Sequence, residues 1–311
     1  MPVGRDAWLG ADMSRTEDGG GAVLLELVQE YPRISQAIWL LVLFVLLVVA
    51  FGAVLGIFGG ALGQPVHEHP AAIAVVNLAA AGVVLKRGLK RTGAPFSQVF
   101  RFPRFRASLL FPMSVTVVGV HILLSEVDNL LRTVLPMPAW LAEVFGDLSA
   151  GGTSLWGSVL VLVVVAPLTE ELLFRGLILR GFLSQYTVRR AVFASSLLFA
   201  LIHLNPWQFA TGAVLGVLFA WWFIETRSLL PCLYGHALMN SLGLLIGAVL
   251  RVEIRGYTGG FVGPVEFQPL WFDALGILLV GVGLWLLVGM FRRARLHPKD
   301  SPAVSSQRPA L

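Results

Sequence analysis

The chain has 311 residues, 56% apolar and only 13% charged, with a mean hydropathy of +0.78. A soluble domain averages about 45–50% apolar and about 25% charged, so the composition excludes a water-soluble globule. The net charge of +5 sits in short blocks between long apolar runs, a pattern of membrane topology rather than of nucleic-acid binding.

Residues 1–34 form a polar, Gly-rich tail of mixed charge. No apolar h-region follows a basic start there, so no cleavable signal is expected. A spanning helix needs ~20 mostly apolar residues. On that rule eight spans are predicted, at 38–62, 71–85, 107–124, 158–179, 191–204, 209–224, 229–250 and 270–291. The second and fifth are short for a bilayer, and Pro112 predicts a bend in the third. Counting Lys and Arg in alternate hydrophilic segments gives 3, 7, 4, 1 and 5 on one side, a sum of 20. The other side has 0, 1, 0 and 2, a sum of 3. The positive-inside rule then places both termini in the cytoplasm. The expected fold is an all-α, polytopic membrane bundle. It comprises a cytoplasmic tail (1–34), a transmembrane domain (35–291, motif core 166–241) and a basic cytoplasmic tail (292–311), in a plasma or inner membrane.

Within this frame several features read as packing or anchoring. Glycines at four-residue spacing in the first span (Gly52, Gly56, Gly60) and the sixth (Gly212, Gly216) predict close helix approach. Trp140, Trp156, Trp207, Trp221 and Trp222 fall near span ends, as interfacial belts do. The stretch 95–106 interleaves Phe96, Phe100, Phe102 and Phe105 with Arg101, Arg104 and Arg106, which predicts an interfacial helix anchored to anionic headgroups. The single cysteine, Cys232, excludes an intramolecular disulfide and a cysteine-based zinc cluster.

Ionisable groups inside spans are the informative residues, because each costs ~2.5–3.5 kcal/mol at a helix centre on insertion scales. The fourth span carries Glu170, Glu171 and Arg175. Glu171 and Arg175 are four apart, on one face and in the favourable order, while Glu170 points about 100° away. Glu171 is therefore expected to be neutralised by Arg175 and supporting, and Glu170 to face something else. The fifth span carries Phe199 and His203 on one face, and the seventh His236 and Asn240. At 1.5 Å per residue Glu170 lies roughly 15 Å from Arg180, His203 roughly 21 Å from Arg189, and His236 and Asn240 roughly 14 and 20 Å from Arg227. These depths agree well enough for one site near the midplane.

A carboxylate, two imidazoles and an amide suit hydrolysis of an acyl bond. Glu170 would take a proton from water, with His203 orienting that water. His236 and Asn240 would donate to the developing oxyanion. No nucleophile is paired convincingly with a base, Cys232 abutting Pro231 at the start of its span. A zinc site from Glu170, His203 and His236 stays open by ligand type, although no His-Glu-x-x-His is present.

The ordered set Glu-Glu-x-x-x-Arg (170–175), Phe-x-x-x-His (199–203) and His-x-x-x-Asn (236–240) resembles the CPBP family, the type II CAAX prenyl proteases and their bacterial Abi and bacteriocin-processing relatives. The resemblance covers about 75 residues, from Glu170 to Asn240. It implies an intramembrane endopeptidase of eight spans. In it Glu170 with His203 activates water, His236 with Asn240 forms the oxyanion site, and Glu171 and Arg175 are supporting. Members have been described both as metalloproteases and as metal-independent glutamate proteases. No cofactor is required by the sequence, and zinc remains open. The expected partners are a membrane-associated peptide or protein substrate and the lipid bilayer, with no nucleic acid. The alternatives are a non-catalytic scaffold or immunity protein of the same fold and a proton-coupled transporter. The absence of an inverted repeat speaks against the transporter.

Overall fold

The computed structural model describes residues 30–296 except 65, 67–68, 150–153, 251, 259–260 and 262. Residues 1–29 and 297–311, most of the two expected tails, lie outside the described residues. Nine helices longer than a single turn follow one another among the described residues: α1 (Ile34–Ala61), α2 (Pro70–Thr92), α3 (Ala107–Val134), α4 (Ala139–Ser149), α5 (Leu155–Gln185), α6 (Val188–Leu201), α7 (Pro206–Thr226), α8 (Leu230–Gly243) and α9 (Leu270–Leu296). Every regular element described is helical, which is the expected fold class. Six of them, α1, α2, α3, α5, α7 and α9, are long and apolar enough to cross a membrane. The other two expected spans are short, with α6 and α8 holding 14 residues each; π-helical turns extend α8 over Leu244–Leu250.

The helix limits have local causes. α2 runs a full two turns past the expected 85, to a left-handed Gly93 (φ 67°), with Lys90 and Arg91 in its last turn against the carbonyl end of the dipole. Pro112 falls in the first turn of the α-helical part of α3 (Leu110–Val134), just after its opening 3₁₀ turn at Ala107–Leu109, where a missing N–H has little intrahelical bonding to lose. α6 stops at Leu201 because the chain turns sharply through Leu204 (φ 56°). Asn205 then caps α7, its side chain accepting from the Gln208 N–H at 2.9 Å, with Pro206 at the first helical position. The 95–106 stretch is a single helical turn at Phe96–Val99 followed by irregular chain, not the interfacial helix expected.

Two helix pairs pack at backbone distance. A Cβ on Gly212 would lie 2.9 Å from Ala200 Cα, and one on Gly216 2.8 Å from Ser196 Cα, so α6 lies directly on α7. On the other side of the bundle, a Cβ on Gly119 of α3 would meet Val280 N of α9 at 2.7 Å. The α1 glycines behave differently from the expectation, since Gly52 and Gly60 have nothing within 4 Å and face away from the bundle. Two tryptophans also depart from the belt reading. Trp222 is fully buried, and Trp207, nearly so, donates from Nε1 to Leu135 O at 2.9 Å, tying α7 to the end of α3. Trp140 and Trp156 are exposed, as belt residues are.

Candidate active site

The site is built on α5, whose geometry is set by one proline. Over Val159–Val165 this helix is π-helical, so that the Ala166 N–H bonds back to Val161 O. In that pattern the next carbonyl, Leu162 O, points to residue 167, and Pro167 has no N–H to give. A carbonyl orphaned inside an apolar bundle costs on the order of 1–3 kcal/mol. Asn240 of α8 supplies the missing donor, its Nδ2 reaching Leu162 O at 2.8 Å. Thr169 hydroxyl in turn donates to Val165 O at 2.8 Å. The short α-helical stretch Ala166–Glu171 that follows aims the two carboxylates, and a second π-helical stretch begins at Leu172.

Glu171 is fully buried and Arg175 is 2% exposed. They pair as the spacing predicts, Arg175 Nη1 donating to Glu171 Oε1 at 2.8 Å. The guanidinium also donates from Nη2 to Leu215 O and Gly216 O of α7, at 3.1 and 3.3 Å, and lies over the Phe199 ring at 4.4 Å. Every face of this buried cation thus has a partner, which is what allows it to sit there. Glu171 does more than neutralise Arg175. The same Oε1 takes a hydrogen bond from His236 Nδ1 at 2.7 Å. Because a carboxylate only accepts, the Nδ1 proton is fixed and His236 turns its Nε2 outward.

Glu170 stands on that outward side. Its Oε2 lies 3.8 Å from His236 Nε2, beyond hydrogen-bond length, and has no hydrogen-bond partner among the described residues. The Glu170 side chain is 25% exposed, against none for Glu171, so the two adjacent carboxylates divide as the helix geometry predicts. His203 sits in the turn after α6 rather than within a span. Its Nδ1 bonds to Phe199 O at 2.8 Å; since a carbonyl only accepts, Nδ1 carries the proton and Nε2 is the free acceptor. The Phe199 ring meets the imidazoles of His203 and His236 edge-on, at centroid distances of 5.4 and 5.9 Å. Phe219 of α7 packs on His236 at 5.8 Å.

The structure therefore joins Glu171, Arg175 and His236 by hydrogen bonds, sets Glu170 3.8 Å from His236, links His203 to them through Phe199, and ties Asn240 to α5 two turns before Glu170. Phe219 and the Leu162 carbonyl belong to the same surroundings and were not read from the sequence. Phe219 has no signal beyond apolarity. Leu162 had one, since Pro167 falls five residues after it. Cys232 is buried, with its thiol donating to Phe219 O at 3.3 Å. Among the described residues no three of His, Cys, Asp and Glu form a group able to hold a metal ion, so Glu170, His203 and His236 do not fit a zinc site as they stand.

Comparison with known proteins falls on the same segment. Residues 152–242 match the family model of the Type II CAAX prenyl endopeptidase Rce1-like proteins, a stretch that holds all of these side chains. An "Uncharacterized 24.3 kDa protein" of Escherichia coli is 32% identical over 144 residues, 45% of this chain. The chain covers 63% of the length of that relative. No solved structure matches the chain. The matched domain lies in a bundle with six helices long and apolar enough to cross a membrane, so this chain is a multi-pass membrane protein that is similar over 152–242 to the Rce1-like type II CAAX prenyl endopeptidases.

Proposed function

We propose that the protein is an intramembrane endopeptidase that hydrolyses a peptide bond of a membrane-associated peptide or protein. The observation that carries the reading is His236, held between Glu171 Oε1 at 2.7 Å and Glu170 Oε2 at 3.8 Å within an apolar bundle. Glu170, half-buried and lacking a hydrogen-bond partner among the described residues, is the general base that takes a proton from water. His203 Nε2, left as an acceptor by the Phe199 carbonyl, orients that water. The hydroxide adds to the peptide carbonyl carbon, and the new oxyanion accepts hydrogen bonds from His236 and from the second amide proton of Asn240. Each such donor is typically worth ~10²–10³ in rate. The donor form of His236 is the imidazolium, and it is also the form that balances two carboxylates against Arg175. As the tetrahedral species collapses and the C–N bond breaks, Glu170 returns its proton to the leaving amine.

Expectations that go with this reading are eight crossings, both termini in the cytoplasm, and residence in the plasma or inner membrane. The test is a survey of N- and C-terminal peptides from membranes holding the wild-type chain or Glu170→Gln. New termini confined to the wild type establish cleavage and name the substrate. Matching surveys at equal protein level would refute the reading in favour of a non-catalytic scaffold.

A further inference from the structure

We propose that Arg101, Arg180 and Arg227, brought together from three separate elements, bind the phosphate of an anionic phospholipid. The convergence follows from contacts one step away from each arginine. A Cβ on Gly176 would lie 2.6 Å from the Phe100 ring and 3.6 Å from Leu229 Cδ1, so residues 100, 176 and 229 meet at one point. Leu229 N–H donates to Arg101 O at 3.0 Å, and Ser228 Oγ to Pro103 O at 2.8 Å, fixing the 100–103 stretch against the α7–α8 turn. Arg101 follows Phe100, Arg180 is one helical turn beyond Gly176 on the same face of α5, and Arg227 lies two residues before Leu229. Arg101 acts as a like-charged neighbour on both of the others. Burial, and after it the Arg101 guanidinium, lowers the pKa of Arg227, while Glu225 acts in the opposite sense. Glu225 is shared, its Oε1 lying 3.4 Å from Arg295 Nη2. No ion pair of Arg101 or Arg180 occurs among the described residues.

Three guanidiniums held this close gain from an anion, and a phosphate matches their fork geometry. The neighbouring side chains decide its source. Phe96 and Phe102, on the same stretch as Arg101, are 54% and 39% exposed. Exposed phenyl rings alternating with guanidiniums suit the boundary between headgroups and acyl chains, whereas a soluble anion gives those rings no reason to be there. Because Arg180 lies on the helix that carries Glu170 and Glu171, occupancy of this site also braces that helix.

The test is thermal melting of the delipidated full chain in neutral detergent during titration with phosphatidylglycerol, phosphatidylcholine or inorganic phosphate. Phosphatidylglycerol is expected to raise the melting temperature saturably and phosphatidylcholine to leave it unchanged. Arg101→Gln, at an exposed position, and Arg180→Gln are each expected to raise the half-saturating phosphatidylglycerol concentration about fivefold, from ~1 kcal/mol per basic residue at such a surface. Lys86→Gln removes the same charge from an exposed position on α2 and should leave the titration unchanged. An equal loss in Lys86→Gln and Arg101→Gln would overturn the site in favour of diffuse surface charge. A full shift with inorganic phosphate alone would overturn the lipid assignment. Should Arg180→Gln fail to fold, Arg101→Gln decides the matter alone, and an unaltered titration there refutes the proposal.

Discussion

Replacing Arg175 by Met removes the cation from a buried cluster while keeping side-chain length. Glu171, fully buried, then keeps only the His236 hydrogen bond on Oε1, and the Leu215 and Gly216 carbonyls lose their guanidinium donor. Removing one partner of a buried ion pair typically costs ~3–5 kcal/mol, a large part of a total stability of about 5–15 kcal/mol. At about 2–4 °C per kcal/mol for a large domain, the melting temperature in detergent should fall by roughly 6–20 °C. Glu171→Leu should cost as much, by stranding Arg175. The informative variant is the double one, Glu171→Leu with Arg175→Met. It leaves no unpaired buried charge and should recover most of the stability, since apolar replacement of a buried pair is often neutral or better. It should nonetheless cleave nothing, because His236 has lost the acceptor that fixes its Nδ1 proton. Melting curves for the four proteins and the terminal-peptide survey measure both quantities. Arg175→Met melting within about 2 °C of wild type, no more than the smallest shift expected for 1 kcal/mol, would refute the reasoning. So would a double variant no more stable than the singles.

Glu170→Gln and His203→Ala should each abolish cleavage with an unchanged melting temperature, because neither side chain anchors a helix in the bundle. Gly216→Ala should lower stability by ~1–3 kcal/mol as an overpacked contact, since its Cβ would stand 2.8 Å from Ser196 Cα and push α6, with Phe199 and His203, off α7. Gly52→Ala, with nothing within 4 Å, should leave both melting and cleavage unaltered. Asn240→Ala should cost ~1–2 kcal/mol as a lost interhelical hydrogen bond in a membrane bundle. Pro167→Ala in the same chain should restore melting, by giving Leu162 O a backbone donor, without restoring cleavage.

Much of this was legible because a bilayer penalises what a soluble core tolerates. Charged side chains inside apolar runs single themselves out, so Glu170, Glu171, Arg175 and His236 stood out, and their spacing on helices gave the Glu171–Arg175 pair. The helical class followed from hydropathy alone. What stayed hidden is what depends on contacts between helices. Periodicity on α8 puts His236 and Asn240 on one face, but it does not say that His236 reaches Glu171 or that Asn240 reaches a carbonyl. Gly52 and Gly212 look alike in sequence; only the partner helix distinguishes a packed glycine from an open one. Trp207 and Trp222 misled for the same reason, since depth near a span end says nothing about which way a ring turns. The end of α6 at Leu201 depended on Leu204 adopting a left-handed conformation that its residue type disfavours, and so His203 was placed in a helix it has already left.

These hidden contacts share one cause. In a soluble protein an orphaned carbonyl or a spare carboxylate oxygen finds water; inside an apolar bundle it must find a side chain. Pro167 removes a donor from α5, and the nearest group able to replace it is Asn240, which binds α8 to α5 at Leu162. One turn earlier on α8, His236 meets Glu171, so α8 is held to α5 at two points, about 6 Å apart along α8 and about 13 Å apart along α5 at 1.5 Å per residue. Two such points fix both the separation and the rotation of α8 on α5, and so leave the Nε2 of His236 little freedom relative to Glu170. Positioning of that kind contributes to rate independently of any proton transfer, because misplacement by about 1 Å can cost 10²-fold. Asn240 therefore serves two ends in the proposed mechanism, as the tether that sets the helix and as a donor to the oxyanion. The Pro167→Ala, Asn240→Ala pair separates them, since the tether is replaceable by backbone and the donor is not.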